Sequence, residues 1–145
     1  MRRRHRGDFD PHGGACAVFL SHAENSMSLF MLLLADDPTE YADMSPAELQ
    51  EIVARYSAWS QEMGAKGRLR GGHKLTDEGG RILRREGAAV IVRDGPYAEL
   101  REVVSGYFLI EADGYAEAEA IARSCPHAQS RGSITIREIE FTGAS

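Results

Sequence analysis

The side chains best suited to moving protons in this chain gather in one stretch, with one imidazole outside it. Asp94, Glu99 and Glu102 put three carboxylates within nine residues. Carboxylates crowded in this way can share protons, as general acid–base chemistry requires. His73 adds the side chain best suited to general-base work near neutral pH. Tyr97 and Tyr107 bring phenols that can donate to a developing anion. These residues make His73 and Asp94 the candidate acid–base pair, with Tyr97, Glu99, Glu102 and Tyr107 as candidate substrate-binding residues. Each also has a plainer reading. Surface carboxylates are commonly just solvated, and a single histidine on a strand is commonly just hydrogen-bonded.

Other chemistries find less support. No group of His, Cys, Asp and Glu has the spacing of a metal site, so neither a metal nor another cofactor is expected. Asp36-Asp37-Pro38 could meet a cation but reads better as a solvated Asx turn. Gly71-Gly72 opens no helix and is therefore no phosphate cradle; it allows close backbone approach instead. Cys16 and Cys125 are isolated, which fits reduced thiols in a cytoplasmic setting. Cys125, just before Pro126, reads as a small buried filler rather than a nucleophile.

The elements that must position these residues follow from periodicity. Leu29 to Leu34 is apolar at every position, as in a strand covered on both faces. Ser45-Pro46-Ala47-Glu48 is a capping box with proline at the first helical position. Leu49, Ile52, Val53, Tyr56, Trp59 and Met63 then recur at three and four residues, so a helix runs until Gly64 and Gly67. Tyr56 and Trp59 could stack on a ligand, but their aliphatic stripe favours core packing.

Leu69 to Leu75, Arg81 to Arg85 and Ala88 to Arg93 are short strands joined by glycine-containing turns, which predicts consecutive hairpins. Asp94-Gly95-Pro96 is a rigid turn, with Gly95 permitting a positive φ and Pro96 fixing the next bend. A turn alone accounts for all three residues. On the functional reading, the turn also aims the Asp94 carboxylate at a pocket. Glu99 and Glu102 then share a face of a short helical turn. A strand from Tyr107 to Glu111 leads to an alanine-rich helix that Pro126 ends. In the last strand Ile134 and Ile136 have one parity and Ile139 and Phe141 the other, which predicts a bulge.

The order β-α-β-β-β-β-α-β predicts an α+β fold, a ferredoxin-like split βαβ sandwich with an extra β-hairpin. Two helices cover one sheet face. The apolar runs call for the other face to be covered too, which predicts a homodimer packed sheet to sheet.

At 145 residues, 43% hydrophobic and 27% charged, the chain fits one globular domain with its own core. The first 26 residues differ, with a basic cluster Arg2 to Arg6 followed by glycine and proline. They read as a disordered extension or an upstream start before Met27, leaving residues 27 to 145 as the domain. The net charge of −5 disfavours nucleic acid, which needs a basic face. The longest apolar run is far shorter than the ~20 residues of a membrane span, so no membrane association is expected.

Asp94-Gly95-Pro96-Tyr97, Glu99, Arg101-Glu102, Gly106-Tyr107-Phe108, Cys125-Pro126 and the run from Gly132 to Arg137 together resemble the DGPF-type branch of the YCII-related proteins. The resemblance spans residues 27 to 145. It departs mildly at Tyr97, where the family usually has Phe, at Arg101, where Lys is usual, and at Glu138, where Pro is frequent. The resemblance implies a dimeric α/β-barrel of ferredoxin-like subunits. It implies no reaction, although YCII relatives point to enzyme activity through a His and an Asp lining a cleft. DGPF-type members are encoded beside extracytoplasmic-function sigma factors, which implies a regulatory setting. Two functions therefore stand at this point. One is a small acid–base enzyme acting on an unidentified small molecule near the dimer interface. The other is a non-catalytic ligand-binding or regulatory module associated with a sigma factor.

Overall fold

Alternating burial along the first strand sets the architecture. In β1 (Ser28–Asp36) the even-numbered Phe30, Leu32 and Leu34 are buried, while Leu29, Met31 and Leu33 are half-buried on the opposite face. The structure, a computed structural model, describes residues 27–96 and 102–143. After β1 come α1 (Pro46–Ala65), β2 (Leu69–Lys74), β3 (Arg81–Glu86), β4 (Ala89–Asp94), β5 (Val103–Ala112), α2 (Tyr115–Ser124), a 3-10 helix (Pro126–Gln129) and β6 (Ser133–Glu138).

The main sheet has the strand order β2-β5-β1-β6, with every neighbouring pair antiparallel. Each β-α-β connection therefore skips over one strand, β5 in the first unit and β1 in the second. That order is compatible with a ferredoxin-like α+β sandwich. Strands β3 and β4 form a separate two-stranded ribbon. The consecutive hairpins expected from the turn spacing reduce to this one, because β2 pairs with β5 and not with β3. Local turn chemistry cannot choose between a sequential neighbour and a central strand already carrying apolar residues on both faces.

The core lies between the sheet and both helices. Trp59 and Met63 from α1 and Ala118, Ile121 and Ala122 from α2 meet Phe30, Leu32, Ile110 and Ala112 of the sheet. The alanines of α2 let that helix approach closely, and Cys125 is fully buried beside it. Burial pushes the Cys125 thiol up to about 11, so it stays a neutral filler at ordinary pH. Trp59 sits against Phe108 with ring centroids 4.9 Å apart, and its indole N–H donates to Ser124 Oγ at 2.8 Å.

Helix α1 begins as its sequence dictates. Ser45 Oγ accepts from the Glu48 N–H at 3.2 Å, and the Ser45 N–H donates to Glu48 Oε2 at 2.7 Å. Those bonds hold the Glu48 carboxyl below its usual range, the bond from the Ser45 backbone contributing most.

The ribbon turns through Gly87 and Ala88, with Gly87 at a φ of 64° and Ala88 not in the left-handed region. That is a type II′ geometry, and glycine at its first central position removes the Cβ clash. The bulge expected in the last strand is absent. Instead β6 ends at Glu138, and Ile139 adds one further backbone bond to Leu29. The register shifts fall between Leu34 and Ala35 and between Leu69 and Gly71. No helix among the described residues is long and apolar enough to cross a membrane.

Candidate functional site

The antiparallel register places Ser133 opposite Ala35, at the C-terminal end of β1. The segment entering β6, including the 3-10 helix, is thereby brought against the connection that leaves β1. His127 lies in that helix and is 2% exposed. Its Nε2 is 2.9 Å from the carbonyl of Ala35. A carbonyl only accepts, so Nε2 carries hydrogen and donates. In the neutral ring Nδ1 is then the acceptor, and the Tyr56 hydroxyl donates to it at 2.8 Å. Asp36 Oδ1 stands 3.7 Å from the same Nδ1, beyond hydrogen-bond reach but close enough to stabilise a positive ring.

Asp36 and Asp37 take different parts. Asp37 forms the Asx turn, its Oδ1 accepting from the Thr39 N–H at 2.9 Å and the Thr39 hydroxyl at 2.7 Å. These bonds lower its carboxyl, the hydroxyl contributing most. Asp36 turns inward and accepts from the Tyr41 hydroxyl at 3.4 Å. Burial, aided by Asp36 and Glu40, pushes the Tyr41 phenol from 10.0 up to about 12. Tyr56 is raised as well, mainly by burial and then by the neighbouring Tyr41 and Cys125. Both phenols therefore remain protonated at neutral pH.

Tyr41 and Tyr56 open onto a pocket of about 160 Å³ between the β1–α1 connection, α1 and the 3-10 helix. Glu40, Arg55, Gln129 and Ser130 complete its polar lining. Glu40 accepts from the Arg131 N–H through both oxygens, at 3.2 and 3.1 Å. Arg55 forms no ion pair with any described residue. Among the described residues no group of three or more His, Cys, Asp or Glu side chains could hold a metal ion.

Gly132 seals the back of this site. A Cβ there would collide with the Ala35 carbonyl oxygen and lie 3.0 Å from His127 Nε2, so only glycine lets β6 start this close to the ring.

The residues singled out from the sequence fall elsewhere. His73 stands opposite Tyr107 across β2 and β5, and its Nδ1 lies 2.8 Å from the Tyr107 hydroxyl. Both side chains are on the sheet face opposite the helices, next to Leu33. Asp94 ends the ribbon and pairs with Arg81 at 2.7 Å, its side chain 85% exposed. His73 and Asp94 thus have separate partners on separate sheets. Glu102 accepts from the Ser133 hydroxyl at 2.7 Å. Tyr97 and Glu99, and the helical turn expected around them, lie outside the described residues.

Gly95 has no positive φ. Its need for glycine is instead close approach, since a Cβ on Gly95 would lie 2.5 Å from the Gly79 carbonyl oxygen. Tyr56 read as a core aromatic and His127 as a helix-end residue. The only local hint to His127 was its place one residue after Pro126, where a new turn starts.

A model of the YCII-related domain family matches residues 28–141. No curated protein matches the chain.

Proposed function

The chain belongs to the YCII-related family, and from that premise we propose that it abstracts a proton from a small molecule seated in the Tyr41–Tyr56 pocket. The observation that carries this reading is Tyr56, which lines the pocket and whose hydroxyl donates to the buried His127. A substrate proton passes to the Tyr56 oxygen as the phenol hands its own proton to His127 Nδ1. Tyr56 is neutral before and after, so its raised pKa is no obstacle. The imidazolium that forms is stabilised by the Asp36 carboxylate and by the Ala35 carbonyl on Nε2. A base oriented by a second fixed partner is a common arrangement in proton transfer. Tyr41 and Arg55 can hold the charge that develops on the substrate.

Deuterium wash-in tests this directly. The protein is incubated in D2O with a panel of small oxo acids bearing activated C–H bonds, and exchange is followed by proton NMR. Wild type should deuterate at least one member, and Tyr56→Phe should slow that exchange by about 10²–10⁴-fold. Equal rates in the two proteins would remove Tyr56 from the chemistry. Absence of exchange across the panel would favour the second reading, a non-catalytic ligand-binding or sigma-factor-associated cytoplasmic module. His73 and Asp94, the pair drawn from the sequence, remain an alternative acid–base couple. His73→Ala and Asp94→Asn variants in the same assay decide between the sites.

The quaternary state belongs to the same proposal. Leu29, Met31, Leu33 and Leu109 share the sheet face that no helix covers. Packing that face on a second copy would form the dimeric barrel.

A further inference from the structure

We propose that the β3–β4 ribbon is a clasp, laid against a second copy beside its open sheet face; the inference rests on the sheet-to-sheet dimer proposed above. Register puts Leu83 opposite Val92, with Val90 two residues along on the same face. These side chains are 64%, 57% and 60% exposed, an apolar strip with nothing upon it in the single chain. A two-stranded ribbon alone is marginally stable in water. Here it pairs with no strand of the main sheet. Cross-strand ion pairs join Arg81 to Asp94 at its open end and Arg93 to Glu86 along its length. Exposed pairs of this kind contribute little, so the ribbon needs its apolar face covered.

Area favours a second copy as the cover. Four strands of six to ten residues, at ~3.3 Å per residue and ~4.8 Å between strands, offer about 500 Å² of sheet face. A stable interface buries about 800 Å² on each partner. The ribbon face adds about 200 Å², and in a two-fold dimer each copy also buries a similar area beneath its partner's ribbon. Together these reach the required size, which the sheet alone does not.

Charge points the same way. Within the ribbon, Arg81, Arg84, Arg85 and Arg93 stand against Glu86 and Asp94, leaving +2, so the rest of the chain carries −7 of the net −5. A basic ribbon on an acidic body relieves the repulsion between two like-charged copies.

The test uses the full chain. Sedimentation equilibrium compares wild type with Leu83→Ser/Val92→Ser, both sites being exposed and so compatible with folding, and with Met31→Gln on the sheet face. Should Met31→Gln misfold by circular dichroism, Leu109→Gln replaces it. We expect a wild-type dimer, a ribbon variant whose dissociation constant rises about tenfold or more, and ribbon amides that exchange faster in the dissociated sheet-face variant. If the sheet-face variant dissociates while the ribbon variant dimerises like wild type, the clasp is wrong and the sheet-to-sheet dimer stands. A monomeric wild type overturns both.

Discussion

The Tyr56 hydroxyl and His127 Nδ1 meet at 2.8 Å across 71 residues of sequence. With Nε2 committed to Ala35, this is the one direction from which the ring can receive a proton. Tyr56→Phe leaves a buried nitrogen without its partner, which costs about 1–3 kcal/mol of stability. Urea unfolding followed by the single tryptophan, Trp59, measures that loss. A variant as stable as wild type would mean that Nδ1 finds another partner.

Alkaline pH should weaken the fold before neutral or mildly acidic pH does. Tyr41, Tyr56 and Cys125 all have raised folded-state pKa values, with burial the first cause for each. The folded state then holds protons that the unfolded state releases, so stability falls as pH rises. The loss should begin near pH 9, where an unfolded thiol ionises, and continue through about 12 as Tyr41 titrates. Thermal melts across that range check the sign. Tyr41→Phe should flatten the upper part of the decline.

Parity in β1 separates two kinds of leucine. Leu32 is fully buried under the helices, whereas Leu33 is half-buried on the opposite face. Leu32→Ala should cost about 2–5 kcal/mol in unfolding. Leu33→Ala should cost less in the isolated chain and show its main effect on self-association. Urea unfolding at low protein concentration, paired with sedimentation, distinguishes the two.

Ser45→Ala removes the side-chain acceptor for the Glu48 N–H. A loss of about 1 kcal/mol is expected, with folding otherwise unchanged. Ser45→Gly should lose only a few tenths. Equal losses in both variants would assign the whole effect to the lost side-chain acceptor, with backbone freedom contributing nothing.

Much of the fold was legible because its signals are local. The capping box at Ser45, the apolar run from Leu29 and the alanine-rich second helix each name their element without reference to distant chain. Strand pairing was less accessible, since β2 bonds to β5 across more than thirty residues. The Tyr56–His127–Asp36 arrangement was hidden for the same reason. Tyr56 sits in a helical stripe that suits a core residue, His127 follows a helix, and Asp36 precedes a turn. The β1–β6 register brings Asp36 and His127 together, and packing of α1 against the 3-10 helix adds Tyr56. His73 and Tyr107 both stand out in the sequence, and register makes them neighbours. Their position on the uncovered sheet face, however, depended on the same long-range pairing.

Gly132 gives the site an unusual kind of vulnerability. It has no side chain to donate, accept or carry charge, yet its bare Cα is what allows the Ala35 carbonyl to reach the imidazole. A single methyl at this position would push that carbonyl aside and free the ring to change tautomer. Mutational screens restricted to polar residues would pass over it. The lesion would look like a lost base, while every ionisable group in the protein remained in place.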